Sequence, residues 1–250
     1  MKITGIVIAK NEEKMIADCL SSLAFCDEIL VIDNGSVDKT LEIAKENGAR
    51  ITEIETDDFS ILRNRGLENA KSEWILYVDS DERVTDDLKK EIGEKIKNPG
   101  NYAAFRIKRK NFYLGKNEWP YIEKLERLFK KDKLKGWKGK LHESPIVAGE
   151  VGQLEGFLFH YTHRDLTSMV NKTIEWSETE AQLRFSSNHP KMTWWRFPKV
   201  MFGGFFNSYI KQEGYKAGTV GIIESLYQAF SVFITYAKLW EKQLKIKNGN

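Results

Sequence analysis

The chain has 250 residues, of which 41% are hydrophobic and 30% are charged. This balance is ordinary for a globular protein and supplies enough apolar material for one large domain or a domain with an appendage. The formal net charge of +3 is too small to imply a nucleic-acid partner. The two cysteines, Cys19 and Cys26, indicate neither a disulfide framework nor a Cys/His metal cluster, so we expect reduced, half-buried thiols in a reducing compartment.

The first predicted element is an apolar strand at residues 3–9, which ends at the polar run 10–13. This segment resembles a first β-strand more than the hydrophobic region of a signal peptide. No uncharged apolar stretch reaches the roughly 18 residues that indicate a membrane-spanning helix. We therefore expect a cytoplasmic protein, with contact to the inner face of the membrane left open.

Strands and helices alternate through the first hundred residues. Further strands are predicted at residues 28–33, 50–54 and 74–79, and helices at residues 12–23, 38–47, 60–71 and 85–97. Short apolar strands that alternate with helices predict an α/β fold with a mostly parallel sheet and helices on both faces. Ligands of such sheets bind beyond the carboxyl ends of the strands, which is where Asn11, Asp33 and Asp79 lie.

The rest of the chain divides into a strand-rich part and a helical part. Residues 102–115 predict a strand with interleaved basic residues, and residues 116–150 predict shorter strands and loops. From residue 166 onward the pattern is helical, with apolar residues at helical spacing up to Trp240. We therefore expect an α/β domain over residues 1–165 and a helical region over residues 166–250.

Two carboxylates, Asp79 and Asp81, follow the apolar strand WILYV at one-residue spacing. Neighbouring carboxylates repel each other unless a cation compensates, so this pair indicates a divalent ion. Mg²⁺ takes few protein ligands and fills its other positions with phosphate oxygens and water, which suits a short Asp-x-Asp motif. The alternative is a solvated acidic loop.

Four segments together resemble glycosyltransferase family 2, which has the GT-A fold: IVIAKNEE, VIDNGSVDKT, LRNRGLENAKSEWILYVDSDE and KLHE. More narrowly, they are similar to the bacterial branch associated with lipopolysaccharide core and other surface-glycan sugars. The resemblance covers about residues 1–165 and leaves 166–250 as a helical extension. It implies an inverting transfer from a nucleotide-diphosphate sugar, with a UDP-sugar favoured, to a cell-surface glycan or lipid-linked acceptor. It also implies Mg²⁺ or Mn²⁺ as the cofactor.

The resemblance implies a nucleotide-binding set consisting of Ala9, Asn11, Glu12, Asp33, Arg63 and Asp79. Within it, Asp33 accepts hydrogen bonds from the uracil or the ribose, and Arg63 faces the diphosphate, with Arg65 as the weaker candidate. The alternative for Asp33 is an Asx-type turn that caps the following helix. The alternative for Arg63 is a surface arginine of its helix.

The resemblance also implies the metal ligands. Asp81 binds the ion directly, Asp79 binds the ribose or the metal shell, and His160 completes the ligand set better than His163 would. Imidazole suits Mn²⁺. The alternative for His160 is a structural histidine at the end of an apolar strand.

The candidate catalytic base is Glu143, since inverting transfer needs a carboxylate near the acceptor hydroxyl, opposite the diphosphate. Many family members carry the base as an Asp in a Glu-Asp pair, whereas this chain has His142-Glu143. The branch that the chain resembles often shows His-Glu. The alternative is that His142 is structural or faces the metal and that the base lies elsewhere.

The segment WWRFPKVMFGGFF at residues 194–206 combines aromatic and basic residues, which suits a membrane interface. The alternative is a helical subdomain that packs on the core or forms a dimer interface. Two other functions compete with sugar transfer. A nucleotidyltransferase would carry a glycine-rich phosphate loop near the N-terminus, which IVIAKNEE lacks. A non-catalytic nucleotide- or glycan-binding module would bind the nucleotide without transfer.

Overall fold

A computed structural model describes residues 2–247 of the chain, and within them lie ten strands and seven α-helices. The strands are β1 Ile3–Ala9, β2 Glu28–Asp33, β3 Arg50–Glu53, β4 Trp74–Asp79, β5 Glu82–Val84, β6 Tyr102–Tyr113, β7 Asn117–Lys130, β8 Leu134–Lys138, β9 Ser144–Val147 and β10 Glu150–Tyr161. The helices are α1 Ile16–Ser22, α2 Thr40–Glu46, α3 Phe59–Asn69, α4 Asp86–Lys97, α5 Leu166–Ser186, α6 Arg196–Phe206 and α7 Gly218–Lys247.

Within the described residues, one sheet has the strand order β3-β2-β1-β4-β7-β6-β10-β5. The first four strands are parallel. The sheet then reverses, because β7 runs antiparallel to β4, and β5 pairs antiparallel with β10 at the far edge. The β8–β9 pair forms a separate antiparallel ladder. The carboxyl ends of β1, β2 and β4 therefore meet at one edge of the sheet.

Apolar side chains pack on both faces of this sheet. Successive strand residues point to opposite faces, so Val7 joins the core cluster that contains Leu20 of α1 and Ile92 of α4. Its neighbour Ile6 joins the other cluster, which contains Leu62 of α3. The helices thus cover both faces, as the sequence pattern predicts.

Helix α3 lies unusually close to the sheet. Asp58 caps its N-terminus by accepting a hydrogen bond from the Ser60 backbone at 2.9 Å. One turn further, a Cβ built at Gly66 would lie 2.7 Å from Cγ2 of Ile6. Glycine therefore permits the close approach of α3 to β1, and this sets the depth at which Arg63 of the same helix lies.

Two predicted elements differ from those observed. Helix α1 begins at Ile16 rather than residue 12, because a turn in which Met15 and Ile16 donate to the Glu12 carbonyl precedes it. β7 is a long strand within residues 116–150, for which shorter strands and loops were predicted, and β10 is a long strand that lies almost wholly beyond that range. Their apolar periodicity is weak because charged residues and a proline interrupt it in β7, whereas glycines occupy two of the buried positions in β10.

Packing divides the chain into two compact units. The first consists of Met1–Lys110 and Ile122–His160, and the second consists of Asn111–Tyr121 and Tyr161–Asn250. The boundary predicted at residue 165 came from the sequence pattern alone. That pattern does not distinguish residues 111–121, which belong to the second unit, from their neighbours in the chain. In the second unit, α5 and α6 pack against α7, with a core that includes Ala181 and Leu239.

Among the described residues, the segment Gly214–Lys245 is long and apolar enough to cross a membrane by length and composition. The expectation that no stretch qualifies counted only uncharged runs, and Glu224 interrupts this one. Glu224 is buried and lies 3.0 Å from Nδ1 of His163 in the same unit. This apolar segment therefore contains a carboxylate that is buried and paired with a histidine inside the second unit.

Candidate active site

Parallel pairing brings three predicted site residues to the same edge of the sheet. Ala9 of β1 is the register partner of Asp33 of β2, and Ile8 of β1 is the partner of Asp79 of β4. Because the three strands run in the same direction, Ala9, Asp33 and Asp79 all lie at the carboxyl edge. This is the edge at which sheets of this type bind ligands.

The predicted nucleotide residue Asp33 is buried within a tight turn. Its carboxylate accepts hydrogen bonds from the backbones of Gly35 at 3.0 Å and Ser36 at 2.9 Å, and from the Ser36 hydroxyl at 2.5 Å. Asn11 has a positive φ of 54° and accepts from the Val37 backbone at 2.9 Å. An Asx-type turn at Asp33 is therefore present, but it does not cap α2, whose N-cap is Lys39. Nucleotide contact by Asp33 and Asn11 stays a prediction.

Two further predicted nucleotide residues support the same loop. The buried Ala9 accepts a hydrogen bond from the Asn34 backbone at 2.9 Å. The backbone of Glu12 donates to the Thr40 hydroxyl at 2.8 Å, which ties the end of β1 to the start of α2. Both contacts hold the two loops that border the edge.

Guanidinium groups surround the Asp79 carboxylate. The nearest nitrogens of Arg127, Arg63 and Arg109 lie 2.6, 3.2 and 4.0 Å from its oxygens. Burial alone would raise the pKa of Asp79, but these cations, Arg127 first, outweigh it and hold the pKa far below its usual value. Asp79 is therefore an anion that the protein itself compensates.

Arg63 connects Asp79 to Glu143. Its Nη2 donates to Asp79, and its Nε donates to Oε1 of Glu143 at 2.6 Å. The guanidinium lies 4.9 Å from the Trp137 ring and 5.5 Å from the Tyr77 ring and is only 4% exposed. Burial would lower its pKa, but the two carboxylates raise it above the ordinary value. The predicted base and the predicted strand-end acid are thus brought together by one side chain.

Glu143 lines a cavity of 360 Å³ together with Arg63, Arg127 and Trp137. Its Oε1 accepts from Arg63, whereas no described residue donates to its Oε2. One oxygen is therefore oriented by the protein and the other is left for a ligand. This arrangement is suitable for proton transfer from a bound hydroxyl.

The sequence did not point to a buried ionic network behind this edge. Glu82 is fully buried and accepts from the Asp79 backbone at 2.9 Å and from Nη1 of Arg109 at 2.9 Å. Arg109 also pairs with Glu123 at 2.6 Å, and Arg127 lies 3.6 Å from Glu82. Burial opposes the charge of Arg109, but Glu82 and Glu123 raise its pKa above the ordinary value. In the sequence, the basic residues interleaved along β6 were the signal that could have indicated this ionic network.

Asp81 lies beside His160, with 3.3 Å between Oδ2 and Nε2. Within the described part of the chain, no three His, Cys, Asp or Glu side chains are grouped to hold a metal ion. The carboxylate and the imidazole nevertheless suit a nucleotide-bound Mg²⁺ or Mn²⁺, because phosphate oxygens and water occupy its other positions. The Asp79 carboxylate contacts the guanidinium groups of Arg127 and Arg63 instead, so it lies beside the Asp81–His160 pair and not within it.

The weaker candidates lie elsewhere. Arg65 is half-exposed on α3 and lies 3.5 Å from Glu68. His163 belongs to the second unit, where its ring stacks on Tyr113. His142 is exposed in the loop before Glu143. Arg63 and His160 instead contact Asp79 and Asp81 at the end of β4, and the roles assigned to them stay predictions.

The fold and the site together define an α/β protein with a ligand edge and a carboxylate placed for acid–base chemistry. The profile of glycosyl transferase family 2 matches residues 4–149. The chain belongs to this family and is a glycosyltransferase, as the sequence motifs predicted.

Relatives extend over almost the whole chain. An uncharacterized glycosyltransferase of Rickettsia typhi is 28% identical and covers 99% of this chain and 89% of its own length. The lipopolysaccharide core biosynthesis glycosyltransferase LpsC of Rhizobium meliloti is 23% identical, with 97% and 93% covered. The predicted similarity to the lipopolysaccharide-core branch is confirmed by this relative.

Among solved structures, Staphylococcus aureus TarS 1-349 in complex with UDP-GlcNAc has a TM-score of 0.51 and 15% identity, covering 100% of this chain and 93% of that chain. At this identity the likeness shows the fold alone. The predicted GT-A architecture with a C-terminal helical extension is confirmed.

Proposed function

We propose that the enzyme is an inverting, metal-dependent glycosyltransferase that uses a nucleotide-diphosphate sugar, with a UDP-sugar favoured. The acceptor is a cell-surface glycan or a lipid-linked precursor. One observation carries the proposal: Arg63 donates to Asp79 at the end of β4 and to Glu143 from a separate segment. This bridge supports a catalytic centre because it holds a carboxylate beside the edge where nucleotides bind in such sheets.

In the proposed reaction, Glu143 is the general base. Arg63 orients its Oε1, and its Oε2 accepts the proton of the acceptor hydroxyl. The acceptor oxygen forms a bond to C1 of the sugar as the bond from C1 to the diphosphate oxygen breaks. The electron pair of that bond leaves with the diphosphate. Attack from the face opposite the diphosphate inverts the configuration at C1.

Asp81 and His160 are the residues that would hold Mg²⁺ or Mn²⁺. Their 3.3 Å contact places a carboxylate and an imidazole together at the end of β4. When bound, the ion supplies positive charge that stabilises the departing diphosphate. We assign Asp79 to the ribose or to the outer metal shell, and Ala9, Asn11, Glu12 and Asp33 to the nucleotide.

Donor hydrolysis tests this assignment without knowledge of the acceptor. We expect Glu143→Gln to slow UDP-sugar hydrolysis in Mn²⁺ by about a hundredfold or more, because an amide cannot take the proton. Asp81→Asn is expected to require more Mn²⁺ for half-maximal rate. The Glu143→Gln variant should still bind UDP, and thermal shift measures that binding. Glu46→Gln, an exposed change on α2, is the matched control. Equal turnover of wild type and Glu143→Gln would overturn the proposed base.

We also propose peripheral contact with the inner face of the cytoplasmic membrane through an aromatic face. This face consists of exposed side chains on and beside α6: Trp194, Trp195, Met201, Phe202, Phe206 and Ile210. Trp195, Phe202 and Phe206 recur at helical spacing, so they project in one direction. No residue of α6 is fully buried.

Charge complementarity supports a lipid surface as the partner of the aromatic face. The surrounding segment 191–216 carries five basic residues and one acidic residue, Glu213. Anionic headgroups attract such a segment, while aromatic side chains enter the interface.

A further inference from the structure

The cavity beside Glu143 has a cationic lining. Its charged residues are Arg63, Arg106, Lys124, Arg127, Glu126 and Glu143. Four cations therefore face two anions. At 360 Å³ the cavity also falls within the size range of small-molecule sites, about 300–1,000 Å³. A ligand that fits this lining carries negative charge.

Ion pairs account for most of these charges but not for Lys124. Arg63 pairs with Glu143, and Arg106 pairs with Glu126 at 2.9 Å. Lys124 is exposed on β7, where its charge helps to lower the pKa of Glu155, and its ammonium makes no direct ion pair or hydrogen bond with any described residue. The unpaired cation thus lies in the wall that also contains the proposed base.

The cavity is distinct from the nucleotide edge. Its walls come from α3, β6, β7, β8 and the segment 143–145, and neither Asp33 nor the Asp81–His160 pair lines it. Arg63 and Arg127 stand between the two places, since both line the cavity and both contact Asp79. A donor nucleotide at the sheet edge would leave the Lys124 side of the cavity open.

We propose that this cavity binds an anionic group, a phosphate or a carboxylate, carried by the sugar acceptor. The inference rests on the proposed function, because the base must contact the acceptor hydroxyl and the cavity it lines must then receive the acceptor. Charge-assisted hydrogen bonds from Lys124 and its cationic neighbours select an acceptor with negative charge near that hydroxyl. Neutral sugars lack this contribution.

The test uses the full chain saturated with UDP and Mg²⁺, so that the nucleotide edge is occupied. Inorganic phosphate and acetate are titrated separately at constant ionic strength, and binding is followed by calorimetry. We expect at least one of them to bind, and Lys124→Gln to raise its Kd about tenfold through loss of a charge-assisted contact. Lys130→Gln is the matched control, because it removes the same charge roughly 20 Å further along β7.

Three results would overturn the inference: neither anion binds with or without UDP, an anion binds the UDP-free chain but not the UDP-saturated chain, or both lysine variants weaken binding equally. The second result would assign the anion to the position of the donor diphosphate. Failure here is distinguishable from failure of the proposed function. If no anion binds but donor hydrolysis still depends on Glu143, only the anionic acceptor is contradicted.

Discussion

At the scale of single residues, Arg63 determines the geometry of the candidate site. Two of its nitrogens donate to Glu143 and Asp79, and two aromatic rings cover the guanidinium. Its third nitrogen, Nη1, is enclosed and has no hydrogen-bond partner among the described residues. In this structure the side chain holds the two carboxylates, which supports a positioning role, and the contact with the diphosphate that the motifs imply stays a prediction.

Arg63→Lys separates these two roles. We expect kcat to fall about ten- to a hundredfold with little change in the donor KM, because an ammonium keeps the charge but cannot hold both carboxylates in one planar fork. Steady-state kinetics with varied donor measure this split, and a melting curve confirms that the variant is folded. Arg65→Lys should behave as wild type. A raised donor KM with unchanged kcat would instead indicate a diphosphate clamp.

Most of the residues that sequence motifs identified stand at a strand end or beside a turn, whereas Arg63 lies within α3. Asp33, Asp79 and Asp81 could be predicted because parallel strands deliver them to one edge. Glu82 and Arg127 could not, because a charged residue in a strand ordinarily faces solvent. Glu82 is fully buried beside Arg109, which is 27 positions away in sequence and donates to it at 2.9 Å. That pairing depends on tertiary structure, which local pattern does not encode.

At the scale of elements, one carboxylate ties the parallel strands at the edge opposite the site. Glu28, at the start of β2, accepts from the Thr4 hydroxyl at 2.8 Å and from Nη2 of Arg50 at 2.7 Å. It also accepts from the Lys71 backbone at 3.2 Å, just before β4. Burial would raise the pKa of Glu28, but these hydrogen bonds, that from Thr4 first, lower it below its ordinary value.

The lowered pKa of Glu28 gives a pH dependence of stability with a defined sign. The ionised group stabilises the fold above the unfolded-state pKa of about 4.3, and this contribution is lost as the pH falls through the lower folded-state pKa. We expect Glu28→Gln to reduce the free energy of unfolding by about 1 kcal/mol near neutral pH. The difference from wild type should shrink as the pH falls below about 4.

Urea denaturation of both proteins across this pH range measures the effect, with Glu46→Gln as an exposed control that should match wild type throughout. A difference that stays constant down to about pH 3 would show that the charge of Glu28 contributes nothing.

The parallel strands β1 to β4 could be predicted because each is a short apolar run bounded by turn residues. β7 and β10 could not be placed as long strands, because polar residues in β7 and buried glycines in β10 weaken the apolar alternation that marks a half-buried strand. Their partners are distant in sequence, as β7 pairs with β4 through Lys130 and Trp74. Pairing across such distances is decided by the whole fold.

At the scale of the whole molecule, the chain contains a catalytic unit and a helical unit with a different surface chemistry. In the helical unit, Trp194 is 82% exposed and Phe202 is 67% exposed. In the same unit, α7 is held by ion pairs to α5: Lys242 and Lys238 lie 2.6 and 3.5 Å from Glu178. Such pairs would be costly in hydrocarbon, so we favour attachment through the aromatic face over insertion of α7.

Vesicle co-sedimentation tests this attachment. We expect the full chain to sediment with phosphatidylglycerol vesicles and more weakly with phosphatidylcholine, and added salt to release it, because the basic residues bind anionic headgroups. The double variant Trp194→Ser/Phe202→Ser should lower vesicle affinity about tenfold or more through lost apolar burial. Ile61→Ser, an exposed apolar change in the catalytic unit, should bind as wild type does. Wild type left in the supernatant, or a double variant that sediments equally, would contradict attachment through this face, and resistance to alkaline extraction would indicate that α7 inserts.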